Sequence, residues 1–224
     1  MSKAVEAYLT KQETTLIHGV SYYIKSLKDK TQFFDPEGTA AALGISSAMW
    51  PISGMLWPSG IMLAEVISES PLNNLRILEV GCGIGLASLV ASSKGADITA
   101  SDYHPLTKTL LADNAALNGL PAIRYFHGDW HKPITNRGVF DLIIGSDLLY
   151  DSDNIEILAT FINCHLAKNG KVILIEQRRR LANKFVKHLT AFNIHCEIED
   201  FPEQKVNGVR LNFKRYNFSR TPTY

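Results

Sequence analysis

The sequence predicts an α/β fold, in which a mostly parallel β-sheet carries helices on both faces. From residue 76 onward, short apolar segments alternate with segments of helical character, a pattern typical of βαβ units and a parallel sheet. Two of these segments, 140–145 and 171–176, are almost continuous apolar runs, as expected of strands that are buried on both faces. With 224 residues, of which 46% are hydrophobic, the chain can form one such domain and an N-terminal extension.

The extension is predicted to comprise residues 1–56, and the α/β domain is predicted to comprise residues 57–224. Residues 1–12 are expected to be a short helix or a loose arm. Residues 13–28 are rich in β-branched and aromatic side chains. This composition predicts one strand, or a hairpin that turns near His18–Gly19.

The elements of the α/β domain are predicted from apolar periodicity and from the turn residues between the segments. The predicted strands are 76–80, 97–101, 123–127, 140–145, 171–176, 194–201 and 209–216. The predicted helices are 58–70, 86–93, 105–117, 155–166 and 181–192. The last two strands are expected to close the sheet as an antiparallel pair.

A turn containing Gly81, Gly83 and Gly85 joins the first predicted strand of the domain to a helix. Ligands of α/β sheets bind at this end of the strands, and glycine lets a ligand approach the backbone closely. The spacing is G-x-G-x-G, whereas dinucleotide sites have G-x-G-x-x-G. Glu79 would repel a pyrophosphate but tolerates a zwitterion, such as the amino-acid end of S-adenosylmethionine. The alternative is a tight turn in another doubly wound domain.

Asp102 stands at the end of the second predicted strand of the domain. A carboxylate in this position can accept hydrogen bonds from both hydroxyl groups of a ribose. Alternatively, Asp102 caps the next helix, because Pro105 follows closely. Tyr103 can lie against an adenine ring or pack on the surface.

Two further segments supply candidates for contact with a nucleoside. After the third strand, Asp129 can accept a hydrogen bond from the adenine amino group, and Trp130 can pack on the ring or present its backbone N–H. The alternative is a turn that is anchored by the tryptophan. Trp57, ahead of the first strand, can fold over the cofactor as a lid or be buried in the N-terminal layer.

Ser146, Asp147 and Tyr150 follow the fourth predicted strand. Methyl transfer from a sulfonium requires a positioned, unprotonated nucleophile and the exclusion of water. Asp147 can hold an amine or take its proton, and the aromatic face of Tyr150 can stabilise a developing cation. Asp147 can instead cap the helix that follows, although Asp151 or Asp153 would cap it equally well.

The remaining composition excludes several classes of function. The net charge of +1 gives no electrostatic footprint for nucleic acid or a membrane surface. We find no apolar run that would span a bilayer, no secretory h-region, and no histidine pair at metal-ligand spacing. The three cysteines form no C-x-x-C pair, so we expect a reducing, cytoplasmic setting.

Five motifs occur in a fixed order: WPSG, LEVGCGIG, DYHP, GDW and SDLLY. Their succession closely resembles the seven-strand protein-lysine methyltransferases of the "methyltransferase 16" group, over about residues 50–180. The resemblance implies a Rossmann-like sheet of order 3-2-1-4-5-7-6, with the last strand antiparallel. It also implies that S-adenosylmethionine binds across strands one and four.

The resemblance implies roles for individual residues as well. The cofactor contacts that it implies are at Trp57, Gly81, Cys82, Gly83, Asp102, Trp130 and Ser146. Asp147 and Tyr150 match the family's acidic-x-x-aromatic motif, which lies beside the target side chain. Residues 13–56 depart most from the family pattern, with 33–50 as extra or rearranged material, and this region shapes substrate entry in such enzymes.

We therefore expect an S-adenosylmethionine-dependent methyltransferase that acts on a protein, with a lysine side chain as the acceptor. The alternatives are an arginine or small-molecule acceptor, a nicotinamide-dependent oxidoreductase, and a cofactor-binding module without catalysis. The glycine spacing argues against a nicotinamide cofactor, and the presence of Asp147 and Tyr150 argues against an inactive module. The near-neutral charge argues against a nucleic-acid substrate. We expect a monomer without a metal ion and without membrane attachment.

Overall fold

The computed structural model of the chain describes residues 8–132, 138–177, 181–206 and 209–220. The strands are β1 (Thr10–Ile17), β2 (Val20–Leu27), β3 (Arg76–Val80), β4 (Asp97–Asp102), β5 (Arg124–His127), β6 (Phe140–Ser146), β7 (Leu166–Gln177), β8 (Ile194–Asp200), β9 (Gln204–Val206), β10 (Val209–Leu211) and β11 (Phe213–Arg220). The helices are α1 (Thr39–Ala42), α2 (Pro58–Glu69), α3 (Leu86–Ser93), α4 (Thr107–Leu117), α5 (Ile155–His165) and α6 (Ala182–Ala191), with a 3₁₀ helix at Ile52–Gly54.

Seven strands form the central sheet, in the order β5-β4-β3-β6-β7-β11-β8. The strand pairs from β5 to β7 are parallel, whereas β11 is antiparallel to both of its neighbours. Counted along the chain within this sheet, the order is 3-2-1-4-5-7-6, so the predicted fold is confirmed. Strands β3, β4 and β5 are added towards one edge of the sheet, and β6 and β7 are added towards the other, so the strand order reverses between β3 and β6. The carboxyl ends of these two strands therefore border the crevice in which α/β sheets bind ligands.

Alternate side chains of the central strands pack into two different hydrophobic clusters. Ile77 and Ile144 belong to a cluster that includes residues of α2, α3 and β2. Leu78 and Ile143 belong to a second cluster, which includes residues of α5 and α6. Successive side chains of a strand point to opposite faces of the sheet. The helices therefore cover both faces, which explains the apolar runs in the sequence.

The N-terminal hairpin is part of the same core. Strands β1 and β2 pair antiparallel and turn at His18–Gly19, as predicted. Ile24 and Leu27 of β2 are fully buried in the cluster that contains Ile77. The Tyr22 hydroxyl lies 2.7 Å from the Ser93 hydroxyl at the end of α3. The hairpin thus packs on the helices of one face of the sheet.

The start of the chain differs from the prediction. Residues 10–12 belong to β1, where Thr10 pairs with Leu27, so the expected helix or loose arm is wrong for them. The buried strand β2 offers a partner for this pairing, and pairing outweighs the weak local preference of a polar segment. The expectation for residues 1–7 lies outside the described part of the chain.

The closing strands differ from the prediction in their bounds. β7 begins at Leu166, which pairs with Phe140, five residues before the predicted start at 171. The predicted strand 209–216 is divided into β10, which pairs with β9, and β11, which enters the central sheet. The bounds of these strands depend on which strand each of them pairs with. The local composition does not specify that pairing partner.

Candidate active site

A cavity of about 540 Å³ opens at the carboxyl ends of the parallel strands. This volume lies within the range of small-molecule sites in proteins. The predicted site residues that line the cavity are Trp57, Gly81, Gly83, Asp102, Tyr103, Asp129, Trp130, Ser146, Asp147 and Tyr150. They lie at or just beyond the carboxyl ends of four different strands, or directly before α2, so only the folded sheet brings them together.

Three predicted cofactor residues do not line this cavity. Glu79 is buried below the glycine turn, where its Oε2 atom accepts hydrogen bonds from the backbone N–H of Ser88, at 2.9 Å, and from the Ser88 hydroxyl. Burial raises the pKa of Glu79 to about 7, although the bonds from Ser88 act in the opposite direction. Cys82 is buried, which raises the pKa of its thiol, and Gly85 immediately precedes α3. Contact of these three residues with a cofactor stays a prediction.

The glycine turn adopts a backbone conformation that only glycine reaches without strain. Gly81 and Gly83 have φ values of +63° and +52°, in the left-handed region. A Cβ atom on Gly83 would lie 3.2 Å from the Ser53 carbonyl oxygen. The N-terminal segment therefore packs directly over the turn, and a side chain on Gly83 would disturb that packing.

Asp102 holds the glycine turn from the neighbouring strand. Its Oδ2 atom accepts the backbone N–H of Gly83 at 2.8 Å, and its Oδ1 atom accepts that of His104 at 2.9 Å. Burial raises the pKa of Asp102, whereas these hydrogen bonds lower it. Each oxygen thus accepts one backbone N–H, and contact of Asp102 with a ribose stays a prediction.

Asp147 also lines the cavity, just beyond β6. Its backbone N–H donates to the Ile175 carbonyl at 3.0 Å, and its Oδ2 atom accepts a hydrogen bond from the Ser59 hydroxyl. Helix α5 starts at Ile155 without a side-chain cap, so the alternative role of Asp147 as a helix cap is not observed. Tyr150 is 49% exposed at the rim.

The N-terminal segment forms the opposite wall of the cavity, and sequence patterns did not identify its residues as a site. They are Leu43, Ile45, Met49, Ile52 and Ser53. Further lining residues that the prediction missed are His104, Gly128, His131, Leu148 and Asn154. The apolar wall carries no motif, and the departure of residues 33–50 from the family pattern was the one available signal.

Two aromatic side chains tie this wall to the loop that follows β4. The Tyr103 hydroxyl donates to the Leu43 carbonyl at 3.0 Å. The His104 ring lies edge-on to the buried Trp50, with ring centroids 5.7 Å apart, and burial lowers the pKa of His104 to about 4. Trp57 is 37% exposed and donates from its indole N–H to the Ile52 carbonyl at 2.8 Å. Trp50, rather than Trp57, is the buried tryptophan of the N-terminal layer.

Within residues 8–132, 138–177, 181–206 and 209–220, no group of three or more His, Cys, Asp or Glu side chains is placed to hold a metal ion. None of the helices there is long and apolar enough to cross a membrane.

Comparison with known proteins identifies the family. Residues 45–192 match the family model described as lysine methyltransferase. Protein-lysine methyltransferase METTL21E of Bos taurus is 31% identical over 179 residues, which cover 72% of this chain and 58% of that protein. Histidine protein methyltransferase 1 homolog of Dictyostelium discoideum is 31% identical over 126 residues, which cover 53% of this chain and 41% of that protein. The chain thus spans about half the length of these two relatives.

A solved structure supports the fold independently. The ribosomal protein L11 methylase of Lactobacillus delbrueckii subsp. bulgaricus superposes with a TM-score of 0.60 and 22% sequence identity, covering 74% of this chain and 80% of that chain. At this identity the likeness concerns the fold alone. The family match extends from the apolar wall of the cavity to the end of α6. The family predicted from the five motifs is therefore confirmed: the chain belongs to the lysine methyltransferase family of S-adenosylmethionine-dependent methyltransferases.

Proposed function

We propose that this protein transfers a methyl group from S-adenosylmethionine to the ε-amine of a lysine side chain in another protein. One observation carries the proposal. The same cavity is lined by Gly81, Gly83 and Asp102, the proposed donor end, and by Asp147 and Tyr150, the proposed acceptor end. A donor held by the first group and an acceptor held by the second would meet within one cavity.

The residues at the donor end fit the cofactor. Gly81 and Gly83 present backbone without side chains, Asp102 offers acceptors for ribose hydroxyl groups, and Asp129 offers one for the adenine amino group. Trp130 lies beside Asp129 in the same wall. When bound, the cofactor supplies a methyl group on a positively charged sulfur.

The residues at the acceptor end can prepare an amine for attack. The carboxylate of Asp147 can accept hydrogen bonds from the amine and take the proton that methylation releases. The aromatic face of Tyr150 can stabilise positive charge on the nitrogen. Leu43, Ile45 and Met49 give the cavity an apolar wall, and an apolar environment favours the neutral, nucleophilic amine over the ammonium ion.

Three further proposals concern the protein as a whole. The extension, residues 1–56, acts as a cap on the substrate side, and residues 57–224 carry out methyl transfer. The cap is supported by the position of Leu43 to Ser53 in the cavity wall. A reducing, cytoplasmic setting is supported by the free thiols of Cys82, Cys164 and Cys196. We also propose that the protein acts as a monomer, which light scattering would test.

The function is tested by incubating the purified protein with a cell lysate and S-adenosylmethionine that carries an isotopically labelled methyl group. Peptide mass spectrometry then locates the label. Label on lysine is expected, with the Asp147→Asn variant as the control that loses it. Label on arginine or on histidine, the residue in the name of the Dictyostelium relative, would contradict the lysine acceptor. Label confined to small molecules would contradict a protein substrate.

A further inference from the structure

We propose that Ser59 and Glu176 are positioning residues, which hold the Asp147 carboxylate at the acceptor end of the cavity. The inference rests on the proposed function, in which Asp147 contacts the methyl acceptor. Ser59 and Glu176 are both fully buried, and neither lines the cavity. They can therefore influence the reaction through Asp147 but not through direct contact with a substrate.

The backbone of Asp147 needs such support. Its φ of +51° lies in the left-handed region, which non-glycine residues seldom occupy and which aspartate tolerates better than most. This conformation costs free energy and persists where the surrounding structure enforces it. The side chain of Asp147 thus points where it does because other groups hold the turn.

The end of β7 supplies two of the hydrogen bonds that hold the turn. The Ile175 carbonyl accepts the N–H of Asp147 at 3.0 Å, and the Oε1 atom of Glu176 accepts the N–H of Leu148 at 2.7 Å. The two bonds bind consecutive peptide groups on either side of the Asp147 Cα atom. Together they fix the direction in which the Asp147 side chain leaves the backbone.

The burial of Glu176 is not explained by the fold alone. Residues Val172 to Ile175, which precede it in β7, are apolar and buried, as the position of β7 between two helical layers favours. A buried carboxylate costs free energy unless hydrogen bonds compensate it. Glu176 accepts the hydrogen bond from the Leu148 N–H, which an apolar residue at this position could not do.

Ser59 holds the carboxylate itself, from a different direction. It lies in the first turn of α2, directly after the Trp57–Pro58 pair. Its hydroxyl donates to the Oδ2 atom of Asp147 across a sequence separation of 88 residues. The backbone of Asp147 is thus held by β7 and its side chain by α2, so the carboxylate has a defined position before a substrate binds.

The experiment compares Ser59→Ala, Glu176→Leu and Glu176→Gln with the wild type. Three quantities are measured for each: the initial rate of label transfer to lysate proteins at saturating S-adenosylmethionine, the calorimetric affinity for S-adenosylhomocysteine, and the melting temperature. Ser26→Ala is the matched control, because Ser26 is equally buried but lies in the hairpin strand β2. Asp147→Asn is measured alongside.

We expect Ser59→Ala and Glu176→Leu each to lower the rate by about tenfold or more, the effect of losing one hydrogen bond to a charged group. Affinity for S-adenosylhomocysteine should stay within about twofold of wild type, because the donor end is untouched. Glu176→Gln keeps an acceptor oxygen for the Leu148 N–H and should restore the rate. Ser26→Ala should match the wild type in the rate of transfer and in the affinity for S-adenosylhomocysteine.

Two results would overturn the inference. One is wild-type transfer by Ser59→Ala while Asp147→Asn loses activity. The other is a parallel loss of rate, cofactor-product affinity and melting temperature in Ser59→Ala, which would indicate a general structural role. If Glu176→Leu does not fold, Ser59→Ala and Glu176→Gln still decide the outcome. Full activity of Asp147→Asn would instead contradict the proposed function, so the two failures are distinguishable.

Discussion

Leu148 packs directly against the backbone of Gly81, so that a Cβ atom on Gly81 would lie 2.5 Å from the Leu148 Cδ2 atom. The contact joins the glycine turn after β3 to the turn after β6, which carries Asp147. Gly81 also has a φ of +63°. The two turns therefore touch through the Leu148 side chain, and that contact requires a glycine at position 81.

The Gly81→Ala variant is expected to lose stability for two reasons, the left-handed backbone and the collision with Leu148. Gly95→Ala is the matched control, because Gly95 has a φ of +73° but no atom within 4 Å of its Cβ position. The difference between the two variants isolates the collision, for which we expect about 1–3 kcal/mol in urea denaturation. A second change, Leu148→Ala, should then cost less in Gly81→Ala than in the wild type. Equal losses in Gly81→Ala and Gly95→Ala would contradict the steric explanation.

Asp102→Asn is expected to weaken the binding of S-adenosylhomocysteine. The carboxylate accepts hydrogen bonds from Gly83 and His104, and the proposed ribose contact would add to these. Replacing one charged acceptor by an amide should lower the affinity by about tenfold to a hundredfold, measured by isothermal titration calorimetry.

The control for Asp102→Asn is Asp97→Asn, at the exposed start of the same strand. There Asp97 forms an ion pair with Arg124 on the surface, where such pairs contribute little. The affinity of Asp97→Asn for S-adenosylhomocysteine should equal that of the wild type. Unchanged affinity in Asp102→Asn would remove Asp102 from the cofactor site.

Glu79→Gln is expected to change how the stability of the protein depends on pH. In the folded protein the pKa of Glu79 is about 7, above its usual 4.5, because the group is buried. Between these two pH values the folded state holds a proton that the unfolded state has released. The contribution of Glu79 to the free energy of unfolding therefore falls as the pH rises from 4.5 to 7.

The quantity to measure is the free energy of unfolding of wild type minus that of Glu79→Gln, from urea denaturation across this interval. It should fall by about 3 kcal/mol from the acidic to the neutral end. His104, whose pKa burial lowers to about 4, titrates with the opposite sign, but it is present in both proteins and cancels in the difference. A difference that is constant or rises with pH would show that folding does not raise the pKa of Glu79.

Asn114→Ala is expected to weaken the attachment of the hairpin. The buried Asn114 side chain accepts the N–H of Lys25 at 2.6 Å and donates to the carbonyls of Lys25 and Ile84, at 3.2 and 3.0 Å. Its removal breaks three hydrogen bonds at a buried side chain, so we expect a loss of about 3 kcal/mol in urea denaturation. Asn118→Ala removes the matching pair of bonds to Tyr23 at a partly exposed site, where water can replace them. A loss in Asn114→Ala no larger than in Asn118→Ala would contradict this argument.

The bounds of the central strands could be predicted closely because strands that are buried on both faces are apolar runs in the sequence. The predicted strand 76–80 coincides with β3, and 140–145 falls one residue short of β6. Residues 166–170 were missed at the start of β7, because strand formation there depends on pairing with Phe140 rather than on composition. The division of 209–216 into β10 and β11 has the same cause.

The candidate site could be predicted where a residue follows directly from a strand end, as Asp102 and Asp147 do. Glu79 is bonded to Ser88 and does not line the cavity. This position was not predictable, because the alternation of side chains along β3 does not specify which residues pack against each face of the sheet. The apolar wall from Leu43 to Ser53 was not predictable either, since it consists of loops and one turn of 3₁₀ helix, which carry no periodic pattern.

By itself, the sequence determined the α/β class, the order of the elements and the glycine turn, because buried strands require apolar runs and left-handed turns require glycine. Only the tertiary structure decided which segments wall the cavity and which groups bond the turn at Asp147. Ser59 reaches Asp147 from α2 across 88 residues of sequence, and Glu176 reaches the adjacent Leu148 from β7 across 28. Contacts over such separations depend on how the chain folds back on itself, and no local pattern records them.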